Sequence, residues 1–207
     1  MAVAAVAPSD LLPLRSLTSP AWAQAVLREP VALLMDHAFL EKKAATNALD
    51  LLTLWPEEFL PEWVQVMTAV ARDEAAHLAQ VMRILLRRGG RLPRVHKNPY
   101  ANSLRLLVRK GTAGEVIDRL LISAIIELRS CERFSVLAAN CPDEELATFY
   151  RRLYGSEKGH FQVFLKLAYA VAPKAHVEER WNAILDAEAR IIAEQEPGPR
   201  IHSRCPA

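Results

Sequence analysis

Four long stretches of the chain repeat apolar residues at three- and four-residue intervals, the period of a helix with one buried face. The first predicts a helix over about 30–54. Pro30 suits an opening position, Leu34, Ala38, Glu41, Ala45, Ala48 and Leu52 share one stripe, and Trp55-Pro56 ends the run. The second, about 61–88, opens on Pro61, carries Val66, Met67, Val70, Glu74, His77, Val81, Ile84 and Leu85 at the same spacing, and stops at Gly89-Gly90. A third covers about 115–140, and a fourth runs from Pro142 or Asp143 to Val171, before Pro173. Shorter helices are predicted near Pro20–Leu27, near Ser103–Arg109 and over about Val177–Glu194.

The links between these stretches set the topology. The first and second helices are joined by a few residues, as are the third and fourth, so each pair is antiparallel. Between the pairs lies a long connection, residues 89–114, GGRLPRVHKNPYANSLRLLVRKGTAG. A connection of that length is what a ferritin-like bundle needs to travel from one end to the other. The expected fold class is all-α: a ferritin-like four-helix bundle with a long middle crossover and additional terminal helices. One domain over 1–207 is expected, with a four-helix core at about 30–172, an N-terminal covering segment at 1–29 and a C-terminal helical extension at 173–207.

Composition narrows the class without choosing the chemistry. A hydrophobic fraction of 51% supplies a core, and a formal charge of +2 is too small to mark a nucleic-acid binder by itself. Cys131, Cys141 and Cys205 are odd in number and lack a CxxC spacing, which argues against a disulfide framework or a structural zinc site and favours a reducing cytoplasm. The opening residues MAVAAVAPSDLLPLRS have no basic leader, and no run approaches the length of a membrane span, so neither export nor membrane insertion is expected.

The chemistry lies in two copies of Glu-x-x-His, Glu74/His77 and Glu157/His160. On a helix, residues three apart lie about 60° from one another, one turn along the axis, so a carboxylate and an imidazole converge on one ion. With 17 Glu and 6 His in 207 residues, about half of one such pair arises by chance. The motifs alone therefore also admit a plain reading as solvated or core-satisfied residues. Upstream carboxylates complete the inventory: Glu41 precedes the first motif, and Glu127 or Glu132 the second. One carboxylate on each of two helices plus Glu-x-x-His on each of the others is the ligand set of a di-iron carboxylate bundle. Its mixed oxygen and nitrogen donors suit iron or manganese.

Axial height separates the two candidates on the third helix. Glu41 lies 13 residues before Leu54 and Glu74 lies 13 after Pro61. Glu157 lies 14 after Asp143, Glu127 13 before Asn140 and Glu132 only 8. At about 1.5 Å of rise per residue, Glu132 misses the height of Glu157 by roughly 8 Å. Glu127 is therefore favoured, with Glu132 as the alternative, whose plain role is an ion pair with Arg129 or Arg133. His37 lies one turn before Glu41 and is read more readily as a supporting or surface residue than as a ligand. Asp36 and Asp73 are equally open, Asp73 being placed to bond a metal-bound His.

The strings HAFLEKKAATNALDLL, VARDEAAHLAQV, LLISAIIELRSCERF and LYGSEKGHFQVFLKLA resemble those of the tRNA 2-methylthio-N6-isopentenyladenosine hydroxylases, a ferritin-like family of non-haem di-iron monooxygenases. The resemblance covers most of residues 30–172, and RSCERF is more specific to it than the two Glu-x-x-His motifs. It implies O2-dependent hydroxylation of the isopentenyl group on the modified adenosine beside the tRNA anticodon. It implies Glu41, Glu74, His77, Glu127, Glu157 and His160 as ligands of two iron ions, without deciding Glu127 against Glu132. No dinucleotide fingerprint is present, so electrons must come from an external reductase or electron carrier.

A basic run, Arg83, Arg87, Arg88, Arg91, Arg94, His96 and Lys97, continued by Arg105, Arg109 and Lys110, is the expected contact to tRNA phosphates. The plain alternative is a solvated helix end. Tyr100, Phe134 and Trp181 are either core or stacking residues. A monomer is expected, since the terminal segments can cover bundle surfaces. Two other functions fit the same residues: a ferritin-like ferroxidase or iron-handling protein, and a metal-free helical interaction protein.

Overall fold

The computed structural model describes residues 13–56, 58 and 60–206, so the first twelve residues of the N-terminal covering segment expected at 1–29 lie outside the described residues. The described elements are helical: α1 Pro20–Val26, α2 Pro30–Leu51, α3 Leu60–Arg87, α4 Pro99–Arg105, α5 Glu115–Asn140, α6 Glu144–Val171 and α7 Lys174–Ala193, with a 3-10 turn at Leu52–Leu54. They group into two compact units. Of the described residues, one holds those of 28–97 with 199–201, and the other holds 13–27, 98–198 and 202–206.

In the unit of residues 28–97, α2 packs against α3. Pro30 sits in the first turn of α2, where a missing N–H costs nothing. Leu33, Leu34, Ala38, Ala48 and Leu51 of α2 and Trp63, Met67, Val81 and Leu85 of α3 form its buried core. The Trp63 indole donates to the Leu51 carbonyl at 2.9 Å, so the ring is buried without a lost hydrogen bond. At the far end, Gly89 takes a φ of 74°, and the Gly90 and Gly89 amides bond the carbonyls of Leu85 and Leu86 at 3.0 and 3.1 Å. This is a Schellman stop. A Cβ at Gly90 would collide with Leu85 Cδ1 and Val31 Cγ1.

In the other unit α5 is central, packed on α6, α7, α1 and α4. Leu120, Leu121, Ala124, Ile125, Leu128 and Leu137 of α5, Leu146, Tyr150, Leu153 and Phe164 of α6, and Val177, Ile184 and Leu185 of α7 are all buried. The Asp143 side chain caps α6 by accepting from the Leu146 amide at 3.1 Å.

The short helix of the long connection lies earlier than the sequence reading places it, at Pro99–Arg105 rather than 103–109. Asn98 supplies the reason: its side chain accepts from the Ala101 amide at 3.1 Å, and Pro99 follows in the first turn. The C-terminal helix likewise starts at Lys174, directly after Pro173, rather than at Val177.

Candidate functional site

Each unit carries one buried set of metal-ligand side chains. On α2 and α3, Glu41, Glu74 and His77 each offer an atom within 4.8 Å of the others. All three are buried. His77 Nδ1 lies 3.6 Å from Glu41 Oε2 and 3.5 Å from Glu74 Oε2. The three-residue spacing brings Glu74 and His77 together on α3, and the short link between α2 and α3 brings Glu41 to their height.

On α5 and α6, Glu127, Glu157 and His160 form the equivalent set, again with ligand atoms within 4.8 Å and again buried. His160 Nδ1 lies 3.3 Å from Glu157 Oε2. In each set two carboxylates face one another at this range. Burying close like charges is costly, and a divalent cation compensates it. Two carboxylates and one imidazole, with no thiolate, form a donor set that fits iron.

Glu132 has different company. Its Oε1 accepts from the Thr18 amide and its Oε2 from the Thr18 hydroxyl, both at 2.6 Å, and Oε2 also accepts from Arg129 Nη1 at 3.1 Å. Arg129 spans Glu132 and Glu188, bonding the latter at 2.7 and 2.9 Å, and Tyr100 donates to Glu188 at 3.0 Å. Burial works against the charge on Arg129, and the bonds to Glu188 outweigh it and raise its pKa. The Arg133 guanidinium sits 4.0 Å above the Trp22 ring. The ion pair of Glu132 with Arg129 is present and buried, so removing one partner leaves an uncompensated buried charge.

His37 is fully buried, with Nε2 2.5 Å from Glu41 Oε1. Asp73 is a surface residue that accepts from Arg72. Asp36 bonds His96 Nε2 at 2.7 Å and accepts from the Ile201 amide at 2.9 Å. Tyr100, Phe134 and Trp181 are all buried.

The basic run divides. In the unit of residues 28–97, Arg83, Arg87, Arg91, Arg94 and Lys97 are exposed, beside exposed Leu86 and Val95, while Arg88 is half-buried. His96 departs from the sequence reading, which groups it with these cations. It is held between Asp36 and Lys43, whose Nζ lies 2.9 Å from Nδ1, and its ring stacks on Phe39 at 4.6 Å. It therefore anchors the extended segment to α2. Sequence gives no sign of this, because Asp36 and His96 are 60 positions apart. In the other unit Arg105 and Lys110 are exposed, but Arg109 clamps buried Asp118. Residues 75–114 hold nine Lys and Arg and no Asp or Glu, in a chain of net charge +2. No helix among the described residues is long and apolar enough to cross a membrane.

Comparison with known proteins adds the family. The family model for tRNA-(MS2IO6A)-hydroxylase (MiaE) matches residues 6–203. The tRNA 2-(methylsulfanyl)-N(6)-isopentenyladenosine(37) hydroxylase of Pseudomonas putida is 38% identical over 91% of each chain. Its namesake from Salmonella typhimurium is 33% identical over 68% of this chain and 52% of its own. Among solved structures, a Synechococcus protein with aldehyde deformylating oxygenase activity superposes with a TM-score of 0.87, 30% identity, and coverage of 94% of this chain and 98% of that one. The all-α, ferritin-like fold class is shared with that neighbour, and the chain belongs to the MiaE family of tRNA hydroxylases.

Proposed function

We propose that this chain is a di-iron monooxygenase that uses O2 to hydroxylate the isopentenyl group of 2-methylthio-N6-isopentenyladenosine next to the tRNA anticodon. The observation that carries the reading is the pair of buried ligand sets, each of two carboxylates and one imidazole, in a chain of this family. Glu41, Glu74 and His77 from one unit and Glu127, Glu157 and His160 from the other are the proposed ligands of two iron ions, acting as one domain. Bound iron would supply the activation of O2. The residues themselves hold the ions and keep the set away from bulk water.

The tRNA is the proposed macromolecular partner. Arg83, Arg87, Arg91, Arg94 and Lys97 in one unit and Arg105 and Lys110 in the other supply exposed charge to its phosphates, and a base must leave its stack to reach a buried metal. Arg88, half-buried, and Arg109, engaged with Asp118, contribute less. Electrons come from a separate reductase or carrier in the cytoplasm, and the enzyme acts as a monomer.

One observation favours a second reading. The Synechococcus neighbour, with aldehyde deformylating oxygenase activity, matches almost the whole chain. Reduced, iron-loaded protein is offered tRNA bearing the isopentenyl modification and, separately, an aldehyde. Oxygenation of the nucleoside with an inert aldehyde supports the tRNA enzyme. Consumption of the aldehyde with an unchanged nucleoside supports the second reading.

A further inference from the structure

Glu41 lies on a face of α2 made largely of small residues. The residues three before, three after and four after it are Ala38, Ala44 and Ala45, so of the four positions that share its face of α2, only His37 carries a side chain long enough to brace a carboxylate. His37 has no exposed surface, and its Nε2 lies 2.5 Å from Glu41 Oε1. The opposite oxygen, Oε2, is the one that faces His77, at 3.6 Å. The two oxygens of one carboxylate are thus divided, one on the imidazole of its own helix and one on the α3 side. His37 does not join the set of ligand atoms that gathers Glu41, Glu74 and His77.

We propose that His37 is a positioning residue: its Nε2–H holds Glu41 Oε1 and thereby presents Oε2, as a single-oxygen ligand, to the metal. A glutamate side chain has several staggered rotamers, and a fixed donor on one oxygen favours one of them before the ion arrives. This inference rests on the reading of Glu41 as an iron ligand.

The test measures iron rather than turnover. Anaerobic ferrous titration and Mössbauer spectra of iron-57-loaded protein are compared for the native chain, His37→Leu, which removes the donor, and His37→Gln, which keeps one. His37→Leu weakens the binding of one of the two irons by roughly 10- to 100-fold and changes the quadrupole splitting of that site, and His37→Gln restores both towards native. Native affinity and spectra in His37→Leu, or a His37→Gln no better than His37→Leu, would overturn the proposal. If the leucine variant does not fold, His37→Ala is titrated with and without added imidazole, and absence of rescue overturns it equally. Glu41→Ala separates the two claims. Native iron binding in that variant removes the ligand reading itself, whereas loss of iron there with an indifferent His37→Leu removes only the positioning role.

Discussion

Thr18 binds both oxygens of Glu132, its amide and its hydroxyl each lying 2.6 Å from one of them. A carboxylate engaged in this way, and bonded by Arg129 as well, serves the packing of the N-terminal segment on α5. Glu127, one helical turn and a little more away, gathers with Glu157 and His160 instead.

The two carboxylates should therefore fail differently. Glu127→Ala is expected to lose iron at the α5–α6 ligand set while unfolding much as the native apoprotein does. Glu132→Ala leaves Arg129 and Arg133 buried with less compensating charge, and breaking such a pair costs about 3–5 kcal/mol. Ferrous titration together with urea denaturation checks both. Loss of iron on Glu132→Ala with unchanged stability would reverse the assignment.

How much of this was legible in the sequence follows from distance along the chain. The Glu74/His77 and Glu157/His160 pairs are local, and helix geometry alone places their side chains together. The preference for Glu127 needs only the helix ends at Asn140 and Asp143, and α5 ends at Asn140 while Asp143 caps α6. The contacts that hold the surroundings are remote: Thr18 with Glu132 spans 114 positions, Arg129 with Glu188 spans 59 and Asp36 with His96 spans 60. No periodicity encodes such pairings, so His96 reads as one more cation when it is a structural anchor. The short helix expected near Ser103–Arg109 begins instead at Pro99, where the Asn98 cap and the proline set its first turn.

Asp118 gives a pH dependence with a definite sign. Burial pushes its carboxyl up, but hydrogen bonds from the Arg109 and Arg180 side chains and the Arg109 amide prevail and hold it below the usual aspartate range. A carboxyl lowered in the folded state contributes stability above its unfolded pKa, about 3.9, and that contribution is lost as pH falls through the folded value. Urea midpoints measured from pH 6 down to pH 3 should fall more steeply for the native protein than for Asp118→Asn. Parallel profiles would contradict the clamp.

The Cys131 thiol should be inert in the folded chain. Burial, then the nearby Glu157 charge, pushes it up to about 12, while Cys141 and Cys205 are partly exposed. Thiolate is the reactive form, so an aromatic disulfide reagent at pH 8 should titrate two thiols in native protein and three after denaturation. Because the folded pKa lies above the unfolded one, this group's contribution to stability is complete below about pH 8.5 and is lost as pH rises toward the folded value. Three fast thiols in the native state would show Cys131 to be accessible.

The exposed cations of the extended segment should act through phosphate. Each contact removed lowers the slope of log affinity against log salt by about one. Replacing Arg91, Arg94 and Lys97 together by alanine is expected to flatten the salt dependence of tRNA binding by about two to three and to leave iron content unchanged. Unaltered binding at every salt concentration would assign those charges to a solvated surface.

The most direct measurement is turnover with labelled oxygen. Reduced, iron-loaded protein is mixed with tRNA carrying 2-methylthio-N6-isopentenyladenosine under oxygen-18 gas, and the digested nucleosides are weighed by mass spectrometry. The account predicts one oxygen-18 atom added to the isopentenyl group of that nucleoside, and no addition with Glu127→Ala. An unmodified nucleoside in the presence of bound iron, reductant and O2 would contradict it.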